Sequence, residues 1–186
     1  MLKFLFLTLT LCSVTFSKTY MVKSGKNVDW GKSTKLIDKI RARALTCKNG
    51  AFTGQVELLS IFEPIVEDCL KGIDNQDKFL FAKAGICMMN AIGVMDSEGA
   101  PDMERMEAIY NVVYSPELLQ HVPELIRGFH LCTKAYFEDY DNAAGMGKKE
   151  DIYESFLVYN SCIDSSTAKL NHSITKVCAT LNAESE

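Results

Sequence analysis

Apolar residues recur along this chain at three- and four-residue intervals, and strict two-residue alternation is scarce. That is the period of amphipathic helices packed on a common core. Leu36, Ile37, Ile40 and Ala44 mark a first helix over about 31–45. In QVELLSIFEPIVEDCL, residues 55–70, Val56, Leu59, Phe62, Val66 and Cys69 share one side. Pro64 must kink that run or open a new helix, because proline lacks the amide donor and clashes with the preceding turn. Phe79, Ala82, Ile86 and Met89 mark a run over about 76–95, and Met103, Met106, Tyr110 and Val113 mark another that opens at Pro101. Ser115-Pro116-Glu117 reads as an N-cap followed by a first-turn proline and acid. Pro123 opens a longer run with Leu125, Phe129, Cys132 and Tyr136 at i, i+4, i+7 and i+11. Ile152, Phe156, Tyr159 and Ile163 predict a further helix, and Leu170, Ile174, Val177 and Leu181 predict a last one after Ser165. The predicted fold is all-α, with six to eight short helices crossing at large angles. Such packings can enclose an apolar cavity.

The N-terminal pattern is different. In MLKFLFLTLTLCSVTFSK one lysine precedes a short apolar run, and Thr15 and Ser17 stand three and one residues before a cut ahead of Lys18. This is the layout of a secretory signal peptide over residues 1–17, and the run is too short for a good membrane span. No later stretch is apolar enough to span a bilayer, so a secreted protein without stable membrane insertion is expected. Its removal leaves 169 of the 186 residues, enough for one domain with a sizeable core. Cys12 leaves with it, so seven cysteines become six. In an oxidising compartment six cysteines read as three disulfides, with fifteen possible connectivities.

Charge divides the mature chain. The whole chain carries −4 and the leader +1 (Lys3), leaving −5. Residues 18–48 hold nine Lys or Arg against Asp29 and Asp38, a balance of +7, so the remainder carries −12. A basic segment at 18–50 ahead of an acidic domain at 51–186 can contact an anionic surface or polyanion, or simply form a solvated helix face. An acidic, exported body argues against a dedicated nucleic-acid binder.

Candidate enzyme chemistry is sparse. The histidine contexts QHVP (His121), FHLC (His130) and NHSI (His172) lack the Cys-Cys-His-Asp arrangement of secreted phospholipases, and no histidine pairs with an evident Ser or Cys nucleophile. DSEGAPDMERME places Pro101 where a calcium loop needs glycine, and DYDNAAGMGKKE places Ala144 there. GMGKK lacks the upstream glycine of a phosphate loop. No cofactor or metal is expected. Lys83 could form an imine in a dry pocket or stand in solvent. His121, near a helix break, could serve as a pH switch or be an exposed turn residue. Asn171-His172-Ser173 is a glycosylation sequon.

One region resembles a known family. CMMNAIGVMDSEGAPD is similar to the third-cysteine region of insect odorant-binding proteins of the pheromone-binding type. In those proteins a cysteine near a helix end is followed by a glycine and an acidic, glycine-containing turn. Here these are Cys87, Gly93 and Asp96 to Gly99. IFEPIVEDCL resembles the segment carrying the family's first cysteine, which makes Cys69 the first. YESFLVYNSC resembles the run before the sixth, which makes Cys162 the sixth, with Cys132 the fourth. The second and fifth positions, which bond each other in that family, are then Lys83 and Tyr153. The resemblance covers about residues 56–165. It implies bridges Cys69–Cys87 and Cys132–Cys162 and leaves Cys47 and Cys178, in the terminal extensions, as a third pair.

The resemblance also implies a function: non-enzymatic carriage of small hydrophobic ligands, such as odorants, pheromones or lipids, in an internal helical cavity. Its expected walls include Phe62, Val66, Phe79, Ile86 and Met89 on the earlier helices, and Met106, Tyr110 and Leu118 on the middle ones. Leu125, Phe129, Tyr136, Phe156 and Tyr159 complete them. The three tyrosines could orient a ligand hydroxyl or amine. Related salivary proteins capture biogenic amines or eicosanoids, which gives one alternative. An exported helical effector acting through its basic segment is another.

Overall fold

The computed structural model describes residues 28–121 and 123–183. The proposed signal peptide lies outside them. Among the described residues there are eight α-helices and one small hairpin. A single 3-10 turn, Gly31–Ser33, leads into α1 (Thr34–Arg41). Strands β1 (Thr46–Lys48) and β2 (Ala51–Thr53) pair antiparallel, with Cys47 opposite Phe52. Then come α2 (Gln55–Leu70), α3 (Leu80–Ile92), α4 (Met103–Ala108), α5 (Tyr110–Val113) and α6 (Pro116–His121). Two long helices, α7 (Pro123–Gly145) and α8 (Lys149–Ala183), end the chain. The fold is all-α and disulfide-stapled, although α7 and α8 are far from short.

The α7–α8 hairpin is the spine. A link of three residues folds α8 back along α7, and α8 also packs on α3 and on the β-hairpin. The α2–α3 pair flanks it, α4 and α6 lie on α7, and α1 packs on α5 and α2. One continuous core results. Trp30, Ile37, Ile40 and Leu45, from the basic segment, are buried in it together with Met106, Leu118, Phe129, Tyr136 and Phe156. The β-hairpin straddles the 50/51 position at which the sequence pattern separates extension from domain.

Three local features depart from the predicted pattern. The two helices expected to meet at Ser165 are one helix. No Gly or Pro interrupts residues 149–183, and the polar run is absorbed by back-bonding: Ser166 Oγ donates to the Cys162 carbonyl (3.1 Å) and Thr167 Oγ1 to that of Ile163 (2.9 Å). Pro64 likewise lies inside a single α2. It removes the donor for the Ser60 carbonyl, but both residues are exposed and water can serve instead. The hairpin was hidden in Asn49-Gly50. Both residues take positive φ (52° and 73°), the conformation that a two-residue primed turn requires.

The buried face of α2 is also rotated from the expected one. Leu58, Phe62 and Cys69 are buried, Ile61 and Ile65 pack beside them, and Val56 is 77% exposed. Apolar residues occupy most of the circumference of α2, so helical spacing alone admits both stripes.

The three disulfides join Cys47 on β1 to Cys178 on α8, Cys69 at the end of α2 to Cys87 on α3, and Cys132 on α7 to Cys162 on α8. Their Cα–Cα distances are 5.1, 5.7 and 5.7 Å. Each is within the range a bridge requires, and the pairing is the one the family resemblance implies. Gly93 ends α3 at φ 84°, and the Val94 amide reaches back to the Met89 carbonyl (3.0 Å), closing a Schellman turn before the acidic loop.

Gly85 is a contact that the periodicity did not reveal. A Cβ at this position would lie within 2.7 Å of two ring atoms of Phe156, which is fully buried. Alanine ordinarily gains about 1 kcal/mol over glycine inside a helix. Here the sign inverts, because overpacking a rigid core costs about 1–3 kcal/mol. Gly85→Ala is expected to lower the denaturant midpoint by about 1–2 kcal/mol of stability. A midpoint at or above wild type would show that α3 and α8 are not in this contact.

Candidate functional site

Helical spacing places Phe129, Cys132, Thr133 and Tyr136 on one face of α7, and Ile152, Phe156 and Tyr159 on the facing side of α8. All are buried. α4 contributes Met106 and α5 contributes Tyr110. The Tyr110 ring lies parallel on Phe129, with centroids 4.1 Å apart. Tyr159 sits between Tyr136 (5.1 Å) and Phe156 (5.9 Å), and the Tyr136 and Phe156 rings meet edge to face. The tilted and edge-to-face contacts around Tyr159 are favourable geometries for aromatic pairs. The Tyr136 hydroxyl donates to the Gly99 carbonyl (2.9 Å), which ties α7 to the acidic turn.

Three hydroxyls converge inside this aromatic group. Tyr110 is half-buried, and its hydroxyl lies beside those of Tyr159 and Thr133. Burial pushes the Tyr110 phenol well above its ordinary range, and its hydrogen bond toward Tyr159 adds to this. Burial also raises Tyr159, to about 12, against the opposing influence of the Tyr110 and Thr133 hydroxyls. Both phenols are therefore neutral at physiological pH. Thr133 Oγ1 is fully buried beside both phenols, and its hydrogen bonding to each draws the phenol down against the effect of burial.

A second constellation lies where α3 meets α8. Lys83 forms a half-buried ion pair with Asp77, and its ammonium stands 5.4 Å from the centre of the Tyr153 ring. Phe79 packs on the same ring at 5.3 Å. Asp77 also accepts from the Phe79 amide (2.8 Å), fixing the start of α3. The hydrogen bond to Asp77, ahead of its charge, raises the Lys83 pKa, while the same bond lowers that of Asp77. A charged, ion-paired lysine is neither the neutral amine that an imine needs nor a freely solvated side chain.

The structure gathers Phe62, Phe79, Ile86, Met106, Leu118, Phe129, Tyr136, Phe156 and Tyr159 into one buried cluster, with Met89 and Tyr110 packed against it. Val66 is half-buried on α2, away from that stripe. The Leu125, His121 and His172 side chains, and the sequon at Asn171, lie outside the described residues. His130 Nδ1 is 2.8 Å from Glu107 Oε1, an α7-to-α4 contact. Thr133 was not legible as a site residue. Its only signal was its position four residues after Phe129, on the stripe of Cys132 and Tyr136.

The acidic turn at 96–102 uses its carboxylates on the backbone, and Asp139 and Asp141 of the second acidic stretch lie on α7. Asp96 accepts from the Glu98 and Ala100 amides (2.8 and 2.9 Å), and Asp102 caps α4 through Arg105 (3.0 Å). Among the described residues no group of three or more His, Cys, Asp or Glu is placed to hold a metal ion, and no helix is long and apolar enough to cross a membrane. The basic residues Lys32, Lys35, Lys39, Arg41, Arg43 and Lys48 are all exposed, and Arg41 pairs with Asp38 (3.1 Å). Comparison with protein-family models, with curated proteins and with solved structures returns no match.

Proposed function

We propose that this protein is a secreted, non-enzymatic carrier of small hydrophobic ligands, built on a divergent odorant-binding helical framework. The observation that carries the reading is the contact between Lys83 and Tyr153. The family resemblance assigns these two positions to the cysteines of one bridge, 70 residues apart in the chain. The two positions meet where α3 packs on α8, which supports the resemblance. Here a cation–π contact, buttressed by Asp77 and Phe79, occupies the place of the crosslink. The remaining four family cysteines pair as first to third and fourth to sixth. Three disulfides suit an oxidising compartment, which supports export. The buried aromatic group of α5, α7 and α8, with its few hydroxyls, has the composition of a site for an apolar molecule with one polar end.

The test is a titration of residues 18–186, bridges formed, with the fluorescent probe N-phenyl-1-naphthylamine. Saturable uptake in the micromolar range, displaced by medium-chain apolar compounds, is the expected result. Absence of uptake by a correctly bridged protein would refute the carrier function.

A further inference from the structure

We infer that the exposed basic stripe of α1 is a docking surface for a sulfated polysaccharide, which retains the exported protein at extracellular surfaces. The inference rests on the export proposed above and not on ligand carriage.

Spacing supports it first. Lys32, Lys35 and Lys39 stand three and four residues apart, so they lie one turn above another on the same side of the helix. Arg43 follows at the next four-residue step, in the turn that closes α1. All four are exposed, while Ile37 and Ile40 face the core from the other side. From Lys32 to Lys39 the row is about 10 Å long, at about 1.5 Å per residue. A narrow row of cations matches a linear polymer that carries anions at regular intervals.

The stripe contributes nothing to the fold. Like charges at these intervals weaken a helix. Lys32 and Lys35 stand at the first turn, where the helix dipole disfavours a cation and no acidic residue offsets it. Among the described residues, seven cations beyond residue 70 are paired with carboxylates. None of the four stripe residues is, although the chain beyond residue 48 carries −12. The ion pair of this segment joins Arg41 to Asp38 instead.

The missing apolar face then decides the partner. A helix that docks on a lipid surface buries apolar side chains among the headgroups. The apolar side of α1 is already in the core, and no large hydrophobic residue described before Val56 is exposed. A sulfated chain requires only charge and hydrogen bonds, and each lysine ammonium supplies three donors.

The bridged 18–186 protein would be titrated with a size-defined heparin oligosaccharide at salt concentrations from about 50 to about 150 mM. Lys35→Gln/Lys39→Gln is compared with Lys71→Gln/Lys134→Gln, which makes the same change of net charge at exposed, ion-paired lysines. All four positions lie on the surface, so both variants should fold as wild type does. Wild type is expected to bind in the micromolar range at the lowest salt, with log affinity falling linearly against log salt as counterions are released. The Lys35/Lys39 variant should bind about tenfold more weakly, with a slope shallower by about 2, and the Lys71/Lys134 variant within about twofold of wild type. No binding by wild type, unchanged affinity in the Lys35/Lys39 variant, or equal losses in the two variants would overturn the inference. So would tighter binding to phosphatidylserine vesicles than to heparin. Each of these outcomes leaves the carrier function to its own titration.

Discussion

Replacing Cys47 and Cys178 together by alanine is expected to destabilise the protein by about 4–5 kcal/mol, more than removal of either other bridge. The bridge spans 131 residues, against 18 for Cys69–Cys87 and 30 for Cys132–Cys162. In the chain-entropy account, the denatured state gains more freedom from opening a longer loop, about 5 kcal/mol for the longest and about 3 for the shortest. The two shorter loops nest inside the long one and reduce its effective length, which brings the figure slightly below 5. That loss is between about a third and nearly all of a typical domain's stability of about 5–15 kcal/mol. The location adds to the effect. Cys178 is fully buried on α8, and Cys47 is on the strand that places Leu45 and Phe52 against the core. Denaturant titration of the three double-alanine proteins would order them. If the Cys69/Cys87 variant proved as unstable as the Cys47/Cys178 variant, denatured-state entropy would not govern this scaffold.

The sequence revealed a great deal about which residues enter the core and less about where elements break. Phe79, Ala82 and Ile86 share a buried face as their spacing predicts, and so do Phe129, Cys132 and Tyr136. Burial of one helical face imposes that period directly. Element boundaries are set by competition between local signals. Ser165 looked like a helix start because serine caps well, but its neighbours bond within the helix and nothing nearby stops it. Where the apolar pattern covered a whole helix, as on α2, the buried face was not determined by spacing. The pairing of distant cysteines came from resemblance, since composition alone admits fifteen connectivities. Thr133 shows the limit most clearly. The meeting of its hydroxyl with two buried phenols is a property of three-dimensional packing, and a threonine on an apolar stripe reads in sequence as an ordinary small core residue.

The second large effect is expected at alkaline pH. Four tyrosines, Tyr110, Tyr114, Tyr136 and Tyr159, have their phenol pKa raised in the folded state, with burial the leading cause in each. Tyr114 and Tyr159 are pushed up to about 12. In the unfolded chain all four titrate near 10. Below pH 10 both states hold these protons, and the contribution to stability is fully present. Above it the unfolded chain releases them while the folded protein does not, so stability falls until the folded values are reached. Each tyrosine then contributes a loss of about 1.4 kcal/mol per pH unit, or about 6 kcal/mol for the four at pH 11. That is enough to unfold a domain of ordinary stability. Tyrosinate absorbance should therefore rise together with the loss of helical circular dichroism, in one cooperative step that moves to lower pH when denaturant is added. Tyr114 supplies an internal check, because burial is the sole cause of its shift. Tyr114→Phe should leave neutral-pH stability nearly unchanged and reduce the slope of stability against pH above 10 by about one quarter. Independent titration of all tyrosines with the helices intact would mean that the phenols at the core of the α7–α8 hairpin are open to water.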